Sequence, residues 1–157
     1  MRVTDFDEAT WLIVNDGVMG GQSVGEGAIA DGILYFDGTI VTQGGGFSSV
    51  RGPIDGELVG ATELVMRVRT DGREYELLAD DEPTRQQRVT HYAPIVAEGG
   101  EWQDVTVPLT EMDARVFGQQ VSAPEFQPDL ATEIGVILAD GIDGPFLLEI
   151  DWIDACT

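Results

Sequence analysis

Ala28-Ile29-Ala30-Asp31-Gly32-Ile33-Leu34-Tyr35-Phe36 is the stretch that decides the fold class. Two apolar runs flank the pair Asp31-Gly32. A two-residue type I′ turn needs φ > 0 at both central positions, and Asp-Gly takes that conformation at little cost, so the stretch predicts a β-hairpin. Outward from it the same grammar repeats. Asp37-Gly38 is read as a break in the second strand, followed by Thr39-Ile40-Val41-Thr42, and Gly44-Gly45-Gly46 leads into Phe47-Ser48-Ser49-Val50-Arg51. Glu63 to Thr70, closed by Asp71-Gly72 and answered by Glu74 to Leu78, predicts a second Asp-Gly hairpin. Arg88–Val96, Trp102–Leu109, Glu133–Ala139 and Pro145–Ile153 complete the strands. In the last of these, period-2 alternation places Phe146, Leu148, Ile150 and Trp152 on one face and Glu149 and Asp151 on the other. Pro83–Gln87 and Gly118–Asp129 read as loops, and Thr110–Ala114 can take a helical turn. Short strands between turn signals, with little helical periodicity, predict an all-β antiparallel sandwich or barrel over a single domain, residues 1–157.

The composition narrows the function. Against 29 Asp and Glu stand eight basic residues, a formal net charge of −21, while a hydrophobic content of 43% still builds a core. All eight are arginine; lysine is absent. Self-repulsion of that size opposes compaction in dilute buffer. At about 1 M salt the Debye length falls to about 3 Å and the repulsion is confined to near neighbours. The expectation is a protein adapted to molar salt. Nucleic-acid mimicry and a calcium sponge are the rival readings, but the acids are spread along the whole chain rather than gathered in a stripe or a repeat. Direct nucleic-acid binding is disfavoured, since no basic patch displaces counterions. No run of 18 apolar residues occurs, so membrane insertion is not expected. Met1 to Asp5 lacks the apolar run of a secretory signal, and the lone Cys156 cannot form an internal disulfide, which together predict a cytoplasmic protein.

Several motifs look like chemistry. Gly21-Gln22-Ser23-Val24-Gly25 has the spelling of a nucleophile elbow, with His91 downstream. That chemistry needs a strand–turn–helix under the serine, and here a hairpin follows instead. Gly25-Glu26-Gly27-Ala28-Ile29-Ala30 loosely spells a dinucleotide loop but lacks the helix whose N-terminus would hold the pyrophosphate. His91 is the only histidine; a lone strand histidine usually bonds locally. Asp140 to Gly144, with Asp5, Asp7 and Asp151, offers oxygen ligands, yet such clusters are expected in any chain this acidic. No catalytic residue, metal ligand set or cofactor is assigned. In a lysine-free chain the strand arginines Arg51, Arg67 and Arg69 suggest fixed carboxylate pairs, because guanidinium grips a carboxylate with two parallel bonds. Asp16 is a candidate partner for Arg51. The alternative is an anionic or sugar ligand held by arginine beside Trp102 or Tyr75.

Trp11-Leu12-Ile13-Val14-Asn15-Asp16-Gly17-Val18-Met19-Gly20-Gly21-Gln22-Ser23 is more specific than any of these. It resembles the start of the complex I intermediate-associated protein 30 family, the assembly-factor domain of NADH:ubiquinone oxidoreductase. Phe36-Asp37-Gly38, Gly45-Gly46-Phe47-Ser48-Ser49-Val50-Arg51, Asp71-Gly72-Arg73-Glu74-Tyr75, Trp102-Gln103-Asp104-Val105-Thr106-Val107-Pro108 and Gly144 to Ile153 follow in the family's order. The resemblance implies a galactose-binding-domain-like jelly roll without catalysis, with respiratory-complex subunits as partners by analogy and carbohydrate as the alternative ligand. Trp11, Phe36, Phe47, Trp102, Phe146 and Trp152 are then expected between the two sheets. The binding candidates are Asp16, Met19, Arg51, Tyr75 and Trp102. The loops Asp16–Gly21 and Gly44–Arg51 are the first candidates for a functional surface.

Overall fold

The computed structural model describes residues 1–6, 11–15, 17 and 20–157. In chain order the strands are β1 (Arg2–Thr4), β2 (Leu12–Asn15), β3 (Val24–Ala30), β4 (Ile33–Ile40), β5 (Ser48–Pro53), β6 (Glu63–Thr70) and β7 (Tyr75–Asp81). Then come β8 (Thr90–Pro94), β9 (Gln103–Pro108), β10 (Asp113–Val116), β11 (Gln119–Gln120), β12 (Ala131–Leu138) and β13 (Gly144–Cys156). They form two sheets in which neighbouring strands are antiparallel. One runs β3-β4-β13-β6-β9, with β1 on the far part of β13, and the other runs β11-β10-β8-β7-β12-β5-β2. The result is the expected jelly-roll sandwich, and among the described residues no α-helix occurs.

The hairpin expected at Asp31-Gly32 is present. Ala30 pairs with Ile33 across Asp31 (φ 54) and Gly32 (φ 74). Beyond it β4 runs unbroken through Asp37-Gly38 to Ile40, contrary to the expected break. Glycine serves proximity there: a Cβ on Gly38 would lie 1.9 Å from the Val24 carbonyl oxygen. Asp71-Gly72 makes no hairpin. β6 and β7 belong to different sheets, so residues 71–74 arch across the sandwich. Thr110–Ala114 is not helical; Asp113–Val116 is a strand that pairs with β8 and turns through Phe117 (φ 49) and Gly118 (φ 80) into β11. The loop expected over Gly118–Asp129 therefore begins with a short strand, and it ends in a 3-10 turn at Pro128–Leu130.

The core is aliphatic and phenylalanine-rich. Leu34, Phe36, Leu64, Met66, Phe146 and Leu148 meet Val50, Leu77, Ile134, Val136 and Leu138, all nearly or wholly buried. Each such side chain contributes about 1.5–3 kcal/mol. The expected tryptophan filling is corrected at Trp102 and Trp152, which are half-buried and outside the core; Trp11 is half-buried but packs against the core, and Phe47 is half-buried. For Trp152 the cause is a register shift in β13 between Ile150 and Trp152, where a bulge resets the alternation. Phe146, Leu148 and Ile150 point inward before it, and Ile153 and Ala155 do so after it, leaving Trp152 on the outside.

Candidate functional site

The registers of the seven-stranded sheet line up its outer face. Arg51, Gly135, Leu78 and Tyr92 form one row, Glu133, Asp80 and Thr90 the next, and Ser49, Ile137 and Glu76 a third. Arg115 from β10 lies opposite Thr90. Its guanidinium grips Glu76 through both terminal nitrogens, at 3.0 and 3.1 Å, and touches Asp113 at 3.3 Å. The same group lies 4.5 Å from the centre of the Tyr92 ring. Burial raises the Tyr92 hydroxyl pKa, and the Arg51 and Arg115 charges oppose the rise. Arg51 donates from Nε to Ser49 Oγ at 3.0 Å and approaches Glu133 at 3.6 Å. Gly135 makes room for its stem: an added Cβ would lie 3.0 Å from Arg51 Cγ and 2.3 Å from the Val50 carbonyl oxygen. Asp80 and Glu133 are direct cross-strand neighbours, a like-charge pairing that is intrinsically unfavourable. Burial first, and Asp80 second, hold the Glu133 pKa above the usual carboxylate range, with Arg51 pulling the other way. Thr90 donates to Asp80 at 2.7 Å. Above them opens a polar cleft of about 510 Å3, walled by Asp80, Arg85, Arg88, Thr90, Thr132 and Glu133.

The six-stranded sheet repeats the arginine–aromatic–carboxylate device twice. Arg69 grips Glu149, one bond at 2.9 Å, and lies 5.1 Å from the Trp102 ring centre. Arg2 pairs with Asp154 and lies 4.8 Å from the Trp152 ring centre. In all three cases an aromatic ring outside the core has a cation over it that a carboxylate holds in place.

The candidates from sequence are not gathered in one place. Tyr75 points inward and is 1% exposed, with its hydroxyl donating to Asp71 at 3.1 Å. Trp102 flanks β9 in one sheet, Arg51 belongs to the other, and Asp16 and Met19 lie outside the described residues. The Arg51 partner found among the described residues is Glu133; the expected one, Asp16, lies outside them. Tyr92, Arg115, Glu76, Asp80 and Glu133 escaped sequence reasoning. Tyr92 and Thr90 flank His91 at period 2, which was the available signal. Arg115 lies between the helical turn expected at Thr110–Ala114 and the loop expected from Gly118, in residues given no element.

Ser23 is buried and bonds to both backbone groups of Val41, accepting from its N–H at 2.9 Å and donating to its carbonyl at 3.2 Å. His91 lies on the other sheet, 1% exposed, beside Phe126. Its Nε2 is 3.5 Å from Thr84 Oγ1 and 3.8 Å from Asp81 Oδ2. A relay would place the acid on Nδ1 and the hydroxyl on Nε2. Here both approach one nitrogen, the Thr84 hydroxyl donates to Asp81 at 2.5 Å, and Nδ1 has no hydrogen-bond partner among the described residues. Burial lowers the His91 pKa, with Asp81 and Asp80 opposing, so the ring is neutral at pH 7. The Asp140–Gly144 carboxylates are also engaged: Asp140 holds Arg73, and Asp143 accepts from the Thr42 N–H at 2.7 Å. Asp7 lies outside the described residues, and among those described no group of three or more His, Cys, Asp or Glu is placed to hold a metal ion.

The structure is similar to two solutions of one fold. Against the solution structure of CtCBM11 the TM-score is 0.75 at 15% identity, covering 100% of this chain and 94% of that one. Against the family 11 carbohydrate-binding module from Clostridium thermocellum, in complex with a beta-1,3-1,4-mixed-linked tetrasaccharide, it is 0.63 at 12% identity, covering 95% and 93%. In sequence, the mitochondrial complex I intermediate-associated protein 30 of Mus musculus is 34% identical over 101 residues, 60% of this chain and 30% of that relative's length. The family description "Complex I intermediate-associated protein 30" matches residues 3–150, and the chain belongs to that family.

Proposed function

We propose that this chain is a non-catalytic binding or scaffold domain that helps a respiratory complex assemble, in a cytoplasm of high salt. The observation that carries the reading is the family match over residues 3–150. The geometry supports it: surface arginines and aromatic rings are held in fixed triples, one on the seven-stranded sheet and two on the six-stranded one, which preorganises them for docking. The engagement of Ser23 with Val41, and of both Thr84 and Asp81 with one nitrogen of His91, supports the non-catalytic part. The test is deletion of the gene together with affinity capture at native salt. Respiratory-complex levels should fall, and subunits of that complex should be captured; unchanged levels with no subunit recovered would sink the reading. The salt adaptation has its own check, a melting temperature that rises steeply from low to molar KCl. A flat response would overturn it.

A carbohydrate-binding reading has one observation in its favour. The cleft of about 510 Å3 offers carboxylates, hydroxyls and guanidinium groups together, a donor–acceptor set suited to a polyol. Calorimetry with a mixed-linkage glucan oligosaccharide, against Glu133→Ala, tests it; no heat at millimolar sugar excludes that class of ligand.

A further inference from the structure

The acids are not spread evenly over the surface. From Pro83 to Ala97, and again from Ala114 to Pro124, the chain carries no Asp or Glu. The pairing of β8 with β10 brings these two stretches side by side. Between them runs a groove of about 280 Å3, lined by Pro83, Val89, Val116, Val121 and Pro124 with a few small or amide side chains and no carboxylate. Phe117, next to Val116 at the tip of the β10–β11 turn, is 66% exposed, and Val121 is 37% exposed. The longest acid-free stretch, Gly38 to Ile54, differs, because its Ser48, Ser49, Val50 and Gly52 are buried in the sandwich.

A second observation falls at the same place. Seven of the eight arginines lie within 4 Å of a carboxylate: Arg2, Arg51, Arg67, Arg69, Arg73, Arg85 and Arg115. Arg88 alone has no such partner among the described residues, although the chain carries 29 acids. It is exposed and held at φ 59, a left-handed conformation uncommon for residues other than glycine. Its N–H donates to the Arg85 carbonyl at 3.1 Å, so an ordered turn presents it. Arg88 itself walls the polar cleft, along with Asp80 and Glu133, and the next residue, Val89, lines both that cleft and the groove, so Arg88 adjoins the groove.

We propose that this groove and Arg88 form a docking site for an extended segment of a partner protein, with one apolar side chain in the groove and an Asp or Glu carboxylate on Arg88. The proposal rests on reading the chain as a binding domain, and it names the site and the partner's chemistry. Interface centres are depleted in charge and enriched in aromatic residues and arginine, as here. The volume lies at or below the lower end of small-molecule pockets, about 300 Å3, and suits a single large side chain. A second copy is the wrong occupant for a two-fold contact, since the same patch would face itself and its two acid-free stretches offer Arg88 no carboxylate. In molar salt the overall charge is screened beyond about 3 Å, so an acidic segment reaches Arg88 without long-range repulsion.

The test is selection of a phage-displayed random dodecapeptide library on the full chain in molar KCl. Enriched peptides should carry an Asp or Glu close to a Leu, Ile, Phe or Met. Their affinity, read by fluorescence polarisation, should fall about tenfold or more in Arg88→Glu and in Val121→Asp. Arg67→Gln, on the opposite sheet, should bind as the parent does. Parent-like melting curves establish that the variants fold, and Phe117→Ser replaces Val121→Asp if the latter melts early. No enrichment, enriched peptides without an acid, or binding indifferent to Arg88→Glu overturns the site. Native-salt capture with both proteins separates this from the broader reading. A partner recovered equally by the parent and Arg88→Glu sinks the groove and leaves the binding domain standing. Selected peptides that obey the rule, with no respiratory subunit captured, sink only the assembly role.

Discussion

Asp31-Gly32 and Asp71-Gly72 are the same dipeptide at the end of a β-strand, and the chain does opposite things at them. At the first, both residues take φ > 0, two residues join the strands, and β3 and β4 stay in one sheet. At the second, of the two only Gly72 has positive φ (88), and the chain leaves one sheet for the other. The Asp71 carboxylate does work that Asp31 is not seen to do. It accepts from the Arg73 N–H at 3.1 Å, the Tyr75 hydroxyl at 3.1 Å and the Leu147 N–H at 2.8 Å. Arg73 then pins the arch to the 140–145 loop, through Asp140 at 2.7 and 2.9 Å and through the carbonyls of Gly144 and Pro145. One turn is held by backbone conformation, the other by charge.

That contrast can be broken by experiment, starting where the effect is largest. Arg73→Ala strands the Asp140 side chain, only 2% exposed, and should cost about 3–5 kcal/mol in urea unfolding at molar KCl. A loss under about 1 kcal/mol would mean that the clamp follows the arch rather than holding it. Acid should then separate the two turns. Burial acts to raise the Asp140 pKa, but the bonds from Arg73 and the Ile142 N–H outweigh it, and the net shift is downward. A depressed folded pKa contributes stability above the ordinary aspartate value of about 3.9, lost as pH falls through the folded value. Hydrogen exchange followed down to that range should open residues 71–75 and 140–145 before residues 28–35; simultaneous opening would refute the distinction. Asp71→Asn should cost about 1–2 kcal/mol, since an amide cannot accept all three bonds. Gly32→Ala should cost about 1–2 kcal/mol through its left-handed φ. Asp31→Asn should fall within about 0.5 kcal/mol of the parent, because asparagine takes that conformation as readily.

What could be read from the sequence follows the same division. Hairpin β3–β4, the alternating strands β6 and β9 and the apolar run of β12 were legible because each depends on neighbours in sequence. The arch was not, since Asp-Gly encodes a local φ, whereas the choice of sheet depends on Arg73 reaching residues about seventy positions away. The outward position of Trp152 was hidden for a related reason. A bulge is one residue of slippage against a partner strand, and the alternation of β13 read alone carries no trace of it. The candidate site was legible at Arg51 and not at Tyr92 or Arg115, which meet only when β8 and β10 pair. Arg88 stood out from no sequence pattern; it became distinct once the other arginines were seen with their carboxylates.

The outward tryptophans have a consequence for optical work on this protein. Trp11 packs against the core, edge-on to Phe6 at 5.3 Å, whereas Trp102 and Trp152 are half-buried under guanidinium groups at the margins of the sandwich. Their emission should redden as those margins loosen, ahead of the far-ultraviolet signal of the strands. Iodide, an anion facing a net charge of −21, should quench them less than neutral acrylamide does in dilute buffer, and the gap should close as KCl is added.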